Sequence, residues 1–336
     1  MKIVVSGATG MLGCDMTQEL VRRGHDVVAL DHRELDVTDI RAVRECIAGL
    51  RPHVAVNCAA YTRVDDAEAE KALAFATNAL GPRNLALACR EAKAALLQVS
   101  TDYVFDGKKA EPYTIWDTPS PLNAYGASKL WGENYVRSLL AEHYLVRTSW
   151  LFGQHGRNFV DTMLKMGGDR SNSLYTGNAS FTSAGVRRDA SCFGPERHGN
   201  PRVGGGHLAG SSAIPVVADQ CSSPTYTVDL AKACADLLET GCFGIYHVTN
   251  QGVTTWYEFA KAIFERAGLA IDVRPTTSEE FRRSAARPRN SALDPYPLRE
   301  TIGYLLPSWE DALERYLSQV GSLRHRVDRR RTLAPD

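Results

Sequence analysis

The 336-residue chain contains no apolar run approaching the roughly 18 residues that a membrane-crossing helix needs. It also has no excess of charge: 39 Lys and Arg stand against 39 Asp and Glu, which argues against a dedicated nucleic-acid binder. Met1-Lys2-Ile3-Val4-Val5 reaches Ser6-Gly7 too soon to supply a signal peptide's apolar stretch. No Cys-x-x-Cys pair occurs, and the eight cysteines stand far apart, at 14, 46, 58, 89, 192, 221, 234 and 242. That spacing fits a reduced, cytoplasmic chain whose cysteines serve as small core residues. The nearest approach to a metal set is Cys192, His198, His207 and Cys221. Its spacings match no familiar zinc arrangement, so no metal is expected. There is no internal repeat.

What the chain does have is an ordinary globular composition, 44% hydrophobic and 23% charged, at a length that suggests about two units. Its first third alternates short apolar runs (3–5, 27–30, 54–56, 96–99) with helical patterns (11–23, 39–49, 76–93). Another helix is expected over 124–141 and a strand at 144–146. Such alternation predicts an α/β fold, a Rossmann-type doubly wound parallel sheet. Residues 158–166 look helical, but 167–213 hold ten Gly and seven Ser with little periodicity and read as a loop-like insertion. Order resumes with a strand at 214–217, a helix near 228–239, a strand at 244–248 and helices near 254–267 and 308–317. The tail 321–336 reads as a frayed, solvated end.

The first strand runs into Ser6-Gly7-Ala8-Thr9-Gly10-Met11-Leu12-Gly13 and then a helical pattern. Glycines at 7, 10 and 13 allow a tight turn and a close approach of backbone N–H groups to a pyrophosphate, and the following helix N-terminus adds partial positive charge. The loop predicts dinucleotide binding. Eighteen residues beyond Gly13, Asp31 ends the second strand, placed to accept from the adenosine ribose hydroxyls of NADH. Arg33 follows closely and suits the 2′-phosphate of NADPH, so both cofactors stay open. Asp36-Val37 and Ala59-Ala60-Tyr61 lie just beyond strands two and three, at the sheet edge where ligands bind, or serve simply as turn residues.

Tyr125 and Lys129 are four residues apart and share one face of the expected helix. A neighbouring ammonium favours a phenolate, so Lys129 is expected to lower the Tyr125 pKa from its usual value of about 10. The pair then suits proton delivery to a carbonyl oxygen during reduction. One strand earlier stands Ser100-Thr101-Asp102-Tyr103, which makes the pattern more specific.

Taken together, these residues resemble the extended short-chain dehydrogenase/reductases, and within them the dTDP-4-dehydrorhamnose reductase family. The matching stretches include Asn57–Thr62, Asn78–Gly81, Ser100–Gly107, Pro121–Gly126, Arg147–Trp150, Asp219-Gln220, Arg287-Pro288, Asn290-Ser291 and Pro307–Trp309. They cover about 1–166 and 214–320. The resemblance implies NAD(P)H-dependent reduction at C4 of a dTDP-linked 6-deoxy-4-keto sugar. It assigns Tyr125 as proton donor, Lys129 to the nicotinamide ribose and Thr101 to the keto oxygen. Gly7, Gly10, Met11, Leu12, Gly13, Asp31, Arg33, Asp36, Val37, Ala60, Tyr61, Thr62 and Ser100 would contact the cofactor. Asp102, Tyr103, Trp150 and Asn158 would contact the sugar. A dinucleotide-binding region would comprise 1–153 and about 219–251, with a smaller C-terminal substrate domain from 154–218 and 252–320. A dTDP-sugar is the implied partner, with neither nucleic acid nor membrane, and a homodimer is compatible.

Two departures from the family pattern stand out. The family has a short connection in place of 167–213, and it usually shows Gly where Ser222 stands. Competing readings are an epimerase of the same fold, or a non-catalytic regulatory subunit resembling that of methionine adenosyltransferase. A dehydratase would want Glu after Thr101-Asp102, and Tyr103 occupies that place.

Overall fold

Apolar residues on both faces of a strand require a sheet covered on both sides, and β1 (Lys2–Ser6) has them: Ile3, Val4 and Val5 are all buried. The computed structural model, which describes residues 1–175 and 213–332, places β1 inside a six-stranded parallel sheet. β2 (Asp26–Leu30) pairs with one edge of β1 and β3 (Val54–Asn57) with the other. β4 (Ala95–Thr101), β5 (His143–Thr148) and β10 (Gly244–His247) extend the sheet beyond β3. The order β2-β1-β3-β4-β5-β10 reverses between β1 and β3. In open α/β sheets that reversal leaves a ligand crevice at the carboxyl ends of the strands.

Helices α1 (Met11–Arg22) and α7 (Thr227–Thr240) cover one face, with Met16, Leu20, Leu230 and Leu237 packed against Ile3, Val5, Leu97 and Val146. α2 (Ile40–Leu50), α4 (Gly81–Ala92) and α5 (Ala124–Leu139) cover the other, through Val43, Ile47, Leu85, Cys89 and Val136. The sequence marks two of these starts. Asp39 accepts from the backbone N–H groups of Arg41 and Ala42, and Asn123 from that of Gly126. The helix expected over 76–93 begins earlier, with α3 (Lys71–Phe75), and passes through a wide π-type turn at Ala76–Leu80 before α4. That turn buries Asn78, whose amide meets the Tyr61 carbonyl and the Ser128 hydroxyl.

A second apolar cluster joins short strands to three helices. Its residues include Phe152 of β6 (Leu151–Phe152), Ile214 and Val216 of β7 (Ile214–Val217) and Tyr226 of β9 (Thr225–Tyr226). Met163 of α6 (Phe159–Tyr175), Phe259 of α8 (Trp256–Arg266) and Tyr316 of α10 (Trp309–Thr332) pack onto them. β8 (Cys221–Ser222) pairs antiparallel with β11 (Thr254–Thr255), and β12 (Val273–Thr276) pairs parallel with β7. α9 (Leu298–Ile302) precedes α10.

Two expectations need correction. α6 does not stop at 166; its backbone stays helical to Tyr175, through Gly167-Gly168. A Cβ at Gly167 would sit 2.8 Å from the Phe264 ring, so glycine here permits close approach to α8, and packing overrides its poor helix propensity. The rest of the expected insertion, 176–212, lies outside the described residues, as do Cys192, His198 and His207. α10 continues to Thr332 rather than ending near Leu317; the five arginines beyond Leu317 favour helix, and no proline occurs between there and 335.

Candidate active site

The phosphate loop is shaped by absent side chains. Gly7 has φ of 69°, and a Cβ there would lie 2.6 Å from the Ala59 nitrogen. A Cβ on Gly13 would lie 2.1 Å from the Gly7 carbonyl oxygen. Gly10 caps α1 with no side-chain hydrogen bond, so no side chain competes for the helix's first N–H groups at the crevice. This cradle fits a pyrophosphate. Leu12 is buried in the sheet-facing core and Met11 is half-buried.

The other expected cofactor residues ring the same edge. Asp31 accepts from the N–H groups of Arg33 and Glu34 at 2.7 and 3.0 Å, which folds the turn after β2 and leaves Arg33 exposed. Burial raises the Asp36 pKa, but two hydrogen bonds from Thr38 outweigh it and hold the carboxyl below its ordinary value. Val37 is buried, and its carbonyl accepts from Asn84 at 3.0 Å. Ala60 is half-buried and Thr62 exposed. Tyr61 is buried, its hydroxyl donating to Glu70 at 2.8 Å and its N–H to Asn78 at 2.8 Å. The Ser100 hydroxyl donates to Glu133 at 2.5 Å, inside a buried pair of Glu133 with Arg147.

Tyr125 stands in the first turn of α5, beside Thr101 at the end of β4. Burial pushes its phenol up to about 12, and a hydrogen bond with Thr101 only partly offsets this. The expected acidifying effect of Lys129 is not seen. The Lys129 ammonium turns away and donates to the Val99 carbonyl at 2.7 Å, and burial brings its own pKa down to about 8. Tyr125 is therefore held as a neutral phenol, the form that donates a proton. Tyr103 packs edge-on against it, ring centroids 6.0 Å apart.

Asp102 is almost fully buried, and three hydroxyls converge on it. Thr101 donates to Oδ1 at 3.0 Å and Ser291 to Oδ2 at 2.5 Å, while Ser222 shares its one proton between Oδ2 at 3.4 Å and the Ser291 carbonyl at 3.3 Å. Neither serine carries a functional pattern in the sequence, because a lone serine is common and these come from chain segments far from Asp102.

Next to this cluster opens a cavity of about 840 Å³, lined by Tyr103, Phe159, Met163, Val216, Trp256 and Arg283 among others. Trp256 is the wall tryptophan; Trp150, with φ of 46°, stacks behind it at 3.5 Å. Asn158 does not line the cavity. Its amide donates to Gly153, Asp161 and Tyr316, and its carbonyl oxygen accepts from the Asp161 N–H, so it is a buried cap of α6. Arg287, also on the lining, faces Tyr103 and grips Asp65 at 2.7 Å.

Comparison with known proteins agrees with this geometry. The chain is 42% identical to a dTDP-4-dehydrorhamnose reductase of Streptomyces griseus over 298 residues, 87% of this chain and 84% of that protein. A probable dTDP-4,6-dihydroxy-2-methyloxan-3-one 4-ketoreductase of Streptomyces antibioticus is 38% identical over 98% of this chain and 99% of its own length. The crystal structure of a dTDP-4-dehydrorhamnose reductase from Bacillus anthracis in complex with NADP superposes with a TM-score of 0.80 at 38% identity, covering 95% of this chain and 99% of that one. The family described as the RmlD substrate binding domain matches residues 1–175 and 182–322, so most of the segment expected to be an insertion lies within the match. By that match and these relatives, the chain belongs to the RmlD family of dTDP-4-dehydrorhamnose reductases.

Proposed function

We propose that the chain reduces the C4 keto group of dTDP-4-dehydro-L-rhamnose to give dTDP-L-rhamnose, using NADPH or NADH. The observation that carries this reading is the position of Tyr125 and Thr101. They meet at the carboxyl edge of the sheet that also holds the glycine loop, next to a cavity large enough for a nucleotide sugar. A nicotinamide bound there would supply hydride to the keto carbon. Tyr125 gives its proton to the keto oxygen, and burial keeps that proton on the phenol at neutral pH. Thr101 donates a hydrogen bond to the same oxygen, and Lys129 holds the nicotinamide ribose.

Gly7, Gly10 and Gly13 cradle the pyrophosphate, with Asp31 and Arg33 at the adenosine end. Asp36-Val37, Ala60-Tyr61-Thr62 and Ser100 complete the cofactor side. Tyr103 and Asp102 border the sugar, with Trp150 supporting Trp256. Residues 1–153 and about 219–251 form the cofactor domain, and 154–218 with 252–320 the substrate part. The free cysteines found among the described residues suit a reducing cytoplasm. The test supplies purified chain with the keto sugar nucleotide and NADPH. Consumption of NADPH matched by dTDP-L-rhamnose formation is expected. An isomerised sugar without net NADPH consumption would instead reveal an epimerase.

A further inference from the structure

The role given to Thr101 raises a question of proton supply, and the inference drawn from it rests on the reductase reading above. A threonine hydroxyl has one proton and two lone pairs. Thr101 spends its proton on Asp102 Oδ1, at 3.0 Å, one lone pair on the Tyr103 N–H, at 3.2 Å, and the other on the Tyr125 hydroxyl. While Asp102 is a carboxylate, and so only an acceptor, Thr101 has nothing to donate to a keto oxygen.

We propose that Asp102 is a positioning residue that directs the Thr101 proton, the protonated carboxyl releasing it toward the substrate and the carboxylate withdrawing it. With a proton on Oδ1, Asp102 donates to the Thr101 lone pair that the Tyr125 hydroxyl vacates on turning to the keto oxygen, and the threonine proton swings to that same oxygen. Oδ2 still accepts from Ser291 and Ser222, so the rest of the cluster stays in place. No net proton is consumed by this reorientation.

The surroundings make both forms accessible. Thr101, Asp102, Ser222 and Ser291 are all buried. The titratable groups facing Asp102 are Tyr103 on its own turn and Tyr125 from α5. β8 and the 290–291 segment contribute only serine hydroxyls, and Arg283 and Arg287 face Tyr103. Burial without a cation at hand raises Asp102 to about 7, while the hydroxyl bonds keep it from climbing further. Ser222 is the weaker of those restraining donors.

The experiment compares kcat against pH for the parent chain, Asp102→Asn, Ser222→Ala and Ser291→Ala. It adds infrared difference spectra of the unliganded proteins on either side of neutrality. The parent's kcat is expected to fall as pH rises through neutrality. In Asp102→Asn the amide nitrogen donates permanently to Thr101 while its oxygen accepts from the serines, so that step disappears whatever the plateau. A separate step from Lys129 persists. Ser291→Ala and Ser222→Ala remove donors that favour the carboxylate, so each moves the step to higher pH, Ser291→Ala further because its bond is shorter. A carboxylic C=O band lost across neutrality in the parent should be absent in Asp102→Asn.

An unchanged step in Asp102→Asn, or a parent without a titrating carboxyl band, overturns the inference and leaves the reductase reading standing. Should Asp102→Asn fail to bind NADPH, the two serine variants decide, and an unmoved step in both overturns it. A parent with no turnover overturns the reductase reading and this inference with it, because Thr101 then has no keto oxygen to serve.

Discussion

Residues 6–13 build the phosphate loop from backbone alone, whereas the proton-delivering end of the site needs side chains up to 189 residues apart. The loop works because nothing projects into it, so it fails when an atom is added. The proton end works because hydroxyls, a carboxyl and a phenol converge, so it fails when a group is removed. Four variants probe that contrast.

The largest effect is expected below the proton end. Arg147 and Glu133 are an almost fully buried pair joined at 2.7 Å, and Glu133 also holds the Ser100 hydroxyl. Glu133→Ala leaves a guanidinium buried without its counter-charge, a change that typically destabilises by about 3–5 kcal/mol. Urea unfolding measures it. A loss within the scatter of surface substitutions would show that water reaches Arg147 and that this end is less closed than its burial implies.

Next comes chemistry without folding. Tyr125→Phe removes the proton donor and keeps the ring against Tyr103, so kcat should fall about 10²–10⁴-fold while NADPH affinity stays within a few-fold. Undiminished turnover refutes the assignment of Tyr125 as acid.

The same contrast explains what could be read from sequence. The glycine loop is contiguous, and Tyr125 and Lys129 are one helical turn apart, so both leave a local pattern. The alternation of apolar runs and helices was equally visible, because strands buried on both faces, such as Ile3-Val4-Val5, need apolar residues throughout. Long-range partners left no such trace. Ser222 and Ser291 acquire meaning only when β8 and the 290–291 segment fold against Asp102. Ser100 and Asn158 have residue types that suit ligands, yet tertiary contacts commit their side chains elsewhere, to Glu133 and to the cap of α6. The influence of Lys129 on Tyr125 rests in the sequence on spacing alone. Spacing sets which face a side chain occupies, not where its ammonium points, and the Val99 carbonyl claims it.

The loop can be tested by addition. Gly13→Ala places a methyl group 2.1 Å from the Gly7 carbonyl oxygen, where backbone, not a mobile side chain, must yield. Overpacking of this kind costs about 1–3 kcal/mol. The displaced loop should weaken NADPH and NADH together by roughly 10- to 100-fold, the binding equivalent of that strain. Fluorescence titration of the dinucleotide reports it. Selective loss of one cofactor would show that the disturbance reached the adenosine end instead of the shared pyrophosphate.

The smallest effect is expected at that adenosine end, where backbone and side chain meet in one turn. Asp31 uses Oδ1 to hold the turn through the N–H groups of Arg33 and Glu34, so the Arg33 side chain is exposed and its backbone fixed. Arg33→Ala keeps the N–H that Asp31 needs and removes only the guanidinium. A 2′-phosphate distinguishes NADPH from NADH, and an exposed ion pair with it is worth little more than about 1 kcal/mol. The KM for NADPH should therefore rise roughly five-fold while that for NADH stays put. Steady-state kinetics with each cofactor measure the ratio. Equal loss for both would mean that Arg33 shapes the Asp31 turn, and that the guanidinium does not read the phosphate.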